Sequence, residues 1–220
     1  MRAWLGRFLS RSFGAAAPMP LRAARWVVVD CETSGLDAAR DRLLAVGAVA
    51  VRGGRIELGE SFSALLGQDV ASDVANILVH GIGGEAQRNG RPAAQVLREF
   101  SEFLGDGLPV GYHAPFDDAV LRRAMARQPG LRAPRNWLDL AQLAPALCPG
   151  SMRGPDRARR ALDDWLEEFG IACPQRHDAL ADAYATAQLL LVLLAEAERQ
   201  GAGTVDSLRR LERSGRWVGN

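Results

Sequence analysis

The 220-residue chain contains no lysine: all 27 basic residues are arginine, set against 26 acidic residues for a net charge of +1. Such a balance lacks the strong positive excess of proteins that coat nucleic acid, so a nucleic-acid role has to rest on a localised site. Cysteine is also scarce. Cys31, Cys148 and Cys173 form an odd, scattered set with no C-x-x-C spacing, which argues against a disulfide framework or a zinc cluster and for a reducing, cytoplasmic setting. No apolar run approaches the ~20 residues of a membrane span, so no transmembrane segment is expected. No stretch of roughly 7–15 apolar residues follows the N-terminal charges either, so no secretory signal is expected.

What is present suits one soluble domain, since single cores run to roughly 100–250 residues and 48% of this chain is hydrophobic. Charge is uneven along it. Residues 1–25 carry Arg2, Arg7, Arg11, Arg22 and Arg25 and no acid, which leaves the remainder at −4. We therefore divide the chain into a basic arm (1–24), a body (25–199) and a short helical tail (200–220). In the arm, Trp4, Leu5, Phe8 and Leu9 share one face of a short helix. That suits an arm packed on the domain or a partner, a transit peptide, or a helix lying on anionic lipid. In the tail, Thr204 reads as the N-cap of Val205–Arg213, with Leu208 and Leu211 as its apolar stripe. The arginines around that stripe form a solvated face or a phosphate-facing patch.

The body reads as strands first, then strands and helices interleaved. Trp26–Asp30 is a short β-branched run suited to a buried strand. Leu43–Val51 and Arg55–Phe62 flank Gly53-Gly54 as a hairpin. Pro92 opens a helix with Ala93, Val96, Leu97, Phe100 and Leu104 on one face, closed by Gly105. Leu108–Tyr112 predicts a strand, Phe116–Arg127 a helix stopped by Pro129-Gly130, and Leu162–Phe169 another helix. Ala179–Arg199 predicts the longest helix of the chain. The order indicates an α/β layered domain.

The acids are placed more tellingly than they are numbered. Asp30 ends an apolar strand and Glu32 lies two residues on, so both point to one side of an extended backbone. Asp117 falls at a helix start just after a strand, and Asp182 near the start of the longest helix, five residues after His177. Taken singly, each has an ordinary structural reading: a helix-dipole partner, a surface acid, a capping histidine. Gathered at one sheet edge, four carboxylates repel one another unless cations lie between them. An all-oxygen donor set selects Mg²⁺ or Mn²⁺. Two such ions clamp the attacking and leaving oxygens of phosphoryl transfer, and an imidazole such as His177 can take the proton of the attacking water.

V-V-V-D-C-E-T-S-G-L-D (27–37), G-Y-H-A-P-F-D-D-A-V-L (111–121) and H-D-A-L-A-D-A (177–183) resemble the three motifs of the DEDDh 3′–5′ exonucleases. That family includes the proofreading ε subunit of bacterial replicative polymerase. Lesser echoes are V-H-G-I (79–82) and W-L-D-L (137–140). The resemblance spans about residues 26–197. It implies an RNase H-like fold with a central mixed β-sheet flanked by helices, and 3′–5′ hydrolysis of single-stranded nucleic acid, DNA favoured, to nucleoside 5′-monophosphates. By motif position it implies Asp30, Glu32, Asp117 and Asp182 as ligands of two Mg²⁺ or Mn²⁺ ions and His177 as general base. Thr33, Gly35 and Leu36 would hold the terminal nucleotide, Phe116 would support the pocket, and His80 would approach the substrate. His113 stands where the family commonly has asparagine, which bears on substrate contacts and pH profile. Little chain follows Arg199, so a stand-alone enzyme is expected rather than a proofreading subunit with a polymerase-binding tail. Short RNA as substrate and a silent binding module are the alternatives. A polymerase or repair partner and a homodimer are left open.

Overall fold

The computed structural model describes residues 17–151 and 160–218; the amphipathic helix expected within the first ten residues lies outside them. Five strands form one mixed sheet in the order β3-β2-β1-β4-β5. β1 (Trp26–Thr33), β2 (Leu43–Arg52) and β3 (Arg55–Leu65) make an antiparallel meander. The tight turn between β2 and β3 has Gly53 and Gly54 at φ 57° and 76°, the left-handed values such hairpins require. β1 runs three residues beyond the expected Asp30 because Cys31, Glu32 and Thr33 go on pairing with β2, with a bulge between Glu32 and Thr33. β3 likewise exceeds its expected end.

α1 (Val74–His80) and α2 (Gly84–Arg88) follow the meander, then α3 (Ala93–Leu104), β4 (Leu108–Gly111) parallel to β1, and α4 (Ala114–Ala126). Next come β5 (Leu138–Asp139) parallel to β4, α5 (Leu140–Leu147), α6 (Leu162–Glu168), α7 (Ala179–Arg199) and α8 (Val205–Val218). The short α1, α2, β5 and α5 were not expected. α1 leaves Val74, Leu78 and Val79 exposed, so its sequence carries no one-sided apolar period to read. Asp139 caps α5, accepting from the Ala141 N–H at 3.1 Å.

Side-chain alternation along β1 divides the core. Trp26 and Val28 enter a layer with α5, α6, α7 and α8, centred on Trp165, Leu143, Leu189 and Leu193. Val27 and Val29 face the other way, onto Phe100, Leu97, Val120 and Met125 of α3 and α4. By length and composition alone α7 could cross a membrane. Its apolarity is accounted for by the sheet it covers, with Leu189, Leu190 and Leu193 fully buried. The chain beyond both ends of the expected body packs into the same layers: Leu21 and Ala24 on one side and Leu208 on the other are buried. Pro20 also pairs with Thr204.

One contact sets where α7 begins. Gly47 of β2 lies opposite Asp30 in the register, and a Cβ there would sit 2.2 Å from the backbone carbonyl of Ala179 and 2.3 Å from the Leu180 nitrogen. Only glycine lets the first turn of α7 rest on the sheet beside Asp30. Gly47→Ala is expected to cost about 2–4 kcal/mol of unfolding free energy, read by denaturant melts. Unchanged stability would refute the contact.

Candidate active site

The even-numbered side chains of β1 point toward α7, so Asp30 and Glu32 emerge on the face where α7 carries Asp182 in its first turn. One carboxylate oxygen from each of the three lies within 4.8 Å of the others. Asp117, in the first turn of α4, approaches from the opposite layer, near Cys31. Asp117 and Asp182 are 5% and 4% exposed, and the cluster sits at the carboxyl ends of the parallel strands β1 and β4.

Burial and neighbouring charge hold Asp30, Glu32 and Asp117 protonated above the usual carboxylate range. Burial, then the charges of Asp182, Asp178 and Asp117, pushes Glu32 up to about 8. Burial raises Asp117 to about 7. Asp30 is raised well above its ordinary value, by burial first and then by Asp117, Glu32 and Asp182. An oxygen donor set this crowded fits a hard divalent cation, which would replace the missing solvation of every member at once. The residues present thus fit the divalent metal.

The structure supplies one cation of its own. Arg176 forms an ion pair with Asp182, and its Nε donates to Asp163 Oδ1 at 2.5 Å. Its buried Nη1 has no hydrogen-bond partner of normal geometry, so it is held by the charge of Asp182. Arg176 carries no sequence signal beyond its place next to His177.

His177 stands at the mouth of a cavity of about 290 Å³ lined also by Glu32, Ser63, His80, Ile82 and Asp178. Its backbone is left-handed, at φ 63°, and its N–H donates to Asp182 Oδ2 at 2.9 Å. Asp178 caps α7 by accepting from the Ala181 N–H at 2.9 Å. This tight turn exposes the His177 ring while fixing Asp182. His80 lines the same cavity but turns both ring nitrogens inward. Nδ1 accepts from the Ile82 N–H at 2.9 Å, so the proton sits on Nε2, which donates to Asn76 Oδ1 at 2.8 Å. Asn76 Nδ2 in turn donates to the Thr33 carbonyl at 3.0 Å. His80 therefore braces the loop after β1, with its pKa lowered chiefly by burial. Asn76 escaped the sequence reading because α1 did.

The remaining sequence candidates divide. Thr33 is buried and its hydroxyl donates to the Gly35 carbonyl at 2.6 Å. Gly35 sits against the Asp41 carboxylate, where a Cβ would come within 2.5 Å. Leu36 is 93% exposed beside them, a bare apolar surface. Phe116 packs partly buried on the α3–α4 layer. His113 is not drawn into the cavity with His177. It is exposed, at φ 60°, edge-on to Tyr112 with ring centroids 4.9 Å apart. That left-handed backbone explains the residue type, since asparagine and histidine are both enriched there.

Two outcomes follow. Glu32 and Asp117 bind protons more tightly folded than unfolded, so the metal-free protein should lose stability as pH rises from about 4 through about 8. Thermal melts in EDTA across that range check it, and a rise in midpoint with pH would contradict it. Arg176→Gln removes the internal cation, so its metal-free midpoint should fall most at the alkaline end, where the carboxylates are ionised. A loss independent of pH would assign Arg176 a packing role only.

Comparison with known proteins identifies the family and the fold. An exonuclease family model matches residues 27–190. The chain is 31% identical over 189 residues to the PolC-type DNA polymerase III of Thermotoga maritima, covering 86% of this chain and 13% of that protein. It is 33% identical over 193 residues to a DNA polymerase III subunit epsilon-like protein of Rhodobacter capsulatus, covering 86% and 26%. The chain thus spans about a quarter or less of the length of these curated relatives. Among solved structures, E. coli exonuclease I in complex with a dT13 oligonucleotide superposes with a TM-score of 0.67 at 23% identity, over 80% of this chain and 42% of that one. Exonuclease I from Methylocaldum szegediense does so at 0.66 and 26%, over 81% and 41%. The fold is the RNase H-like exonuclease fold, and the chain belongs to the exonuclease family of nucleases.

Proposed function

We propose that this protein is a metal-dependent 3′–5′ exonuclease that removes nucleoside 5′-monophosphates from single-stranded nucleic acid, with DNA the favoured polymer. The observation that carries this reading is the meeting of Asp30, Glu32 and Asp182 within 4.8 Å beside the exposed His177. The neighbouring exonuclease I structures bound to dT13 and dA16 support the single-stranded substrate. Asp30, Glu32, Asp117 and Asp182 would hold two Mg²⁺ or Mn²⁺ ions. When bound, such ions acidify water and neutralise charge on the reacting phosphate.

The chain's own residues do the rest. The Leu36 side chain offers an apolar surface to the terminal base, and the loop from Thr33 to Leu36 is held in place by Asn76 and, through it, by His80. His177 accepts the proton of the attacking water as the new P–O bond forms and the bond to the 3′ oxygen of the penultimate nucleotide breaks. The left-handed turn at His177 keeps the ring at the cavity mouth while its N–H secures Asp182.

5′-labelled single strands of DNA and RNA incubated with Mg²⁺, Mn²⁺ or EDTA test the reading. A ladder shortening from the 3′ end only when metal is present is expected, faster on DNA. A faster RNA ladder would reassign the polymer, and no product from either would overturn the reading. His177→Ala should lose about 10²–10⁴-fold in rate while Mn²⁺ binding persists. Asp30→Ala should lose both, and near-wild-type turnover by His177→Ala would remove the general-base role.

A further inference from the structure

A second concave site lies outside the carboxylate cluster. It is a groove of about 420 Å³ between the β1–β2 loop, the segment after β3, and the flanks of α3 and α4. Its floor is apolar, formed by buried Leu43, Leu66, Leu97 and Val120, and four arginines line it: Arg40, Arg42, Arg123 and Arg127. Among the described residues, Asp69 is the one acid in the lining. Little of the positive charge is neutralised. Arg123 donates to the Ala39 carbonyl at 2.6 Å and Arg42 to the Val70 carbonyl, both neutral partners. Arg40 reaches Asp37 at 3.5 Å with its side chain 89% exposed. Arg127 makes no ion pair among the described residues. A chain whose residues 26–220 are net acidic thus concentrates cations here.

The groove is joined to the active site by two elements. The β1–β2 loop that bears Arg40 and Arg42 follows Thr33, the last residue of β1, and contains Gly35 and Leu36. α4 carries Asp117 in its first turn, and Arg123 and Arg127 follow six and ten residues later, about 9 Å and 15 Å along the helix axis. Cations that recede stepwise from the cleavage site match a row of phosphates better than one isolated phosphate.

We propose that this groove binds the phosphodiester backbone of the single strand on the 5′ side of the nucleotide held at the carboxylates, an inference that rests on the exonuclease reading above. The arginines meet the phosphates of the strand. The groove gives the enzyme a grip that lengthens with the strand, while a dinucleotide fills only the catalytic end.

The double variant Arg40→Gln/Arg127→Gln tests this, since both side chains are exposed and Arg127 holds no partner whose loss would unfold the chain. Anisotropy of a labelled thymidine strand of about twelve nucleotides is measured in Ca²⁺ over a range of salt, beside hydrolysis of a thymidine dinucleotide in Mg²⁺. Binding of the long strand is expected to weaken several-fold. Its log–log salt slope should flatten by about 1.4 units, for two lost phosphate contacts at about 0.7 each. The kcat/KM on the dinucleotide and the thermal midpoint should stay at wild-type values. Equal loss on both substrates, no loss on either, or displacement of the strand by a free nucleoside monophosphate as potent as the strand itself would each overturn the proposal. Failure of the exonuclease reading is separable: wild-type protein then cleaves neither substrate, while the salt-dependent loss of binding still reports on the groove.

Discussion

Repulsion among buried carboxylates is the constraint around which the molecule is arranged. Two ionised groups 4.8 Å apart oppose each other by about 3–4 kcal/mol at an effective dielectric near 20, and three or four multiply that cost. Such a cluster persists only where the surrounding structure leaves it no escape. β1 is buried on both faces and sits in the centre of the sheet, so Asp30 cannot withdraw without unseating Trp26–Val29. α7 is pinned at its start by Asp178 and by the close approach at Gly47, and its buried face packs along its length into one apolar layer with β1, α5 and α6. The apolar bulk of the protein thus holds in place a site that is electrostatically unfavourable by itself, as expected where local rules are broken for function.

The protein meets that cost in the absence of metal in two ways: the carboxylates hold protons, and Arg176 lends a charge to Asp182. Both devices are reversible. A divalent cation makes both redundant, which couples metal occupancy, protonation and the position of one arginine in a single equilibrium.

Much of this was legible in the sequence, for a physical reason. Strand alternation put Asp30 and Glu32 on one side without any knowledge of the fold, and the long apolar run of residues 179–199 put Asp182 near the start of the longest helix. The hairpin glycines and the Pro92 helix were equally plain, because each signal is local. What stayed hidden depends on long-range contact. Gly47 looks like any strand glycine until α7 lies across it. Asn76 belongs to a helix with an exposed apolar face and so no period. His80 was expected near substrate, yet its ring nitrogens serve Ile82 and Asn76. The arginine groove joins residues from four segments, none of which is a basic run. Composition concealed it too, since a chain close to neutral can still be locally cationic.

Calorimetric titration of the metal-free protein with Mn²⁺ at about pH 7, repeated in buffers of different ionisation enthalpy, tests the central claim most directly. Binding to carboxylates held protonated by their crowding must expel protons. The account predicts proton release on binding near pH 7 that shrinks as pH rises past about 8, where Glu32 and Asp117 become ionised. Binding with no proton release near pH 7, or no binding at all, would contradict it.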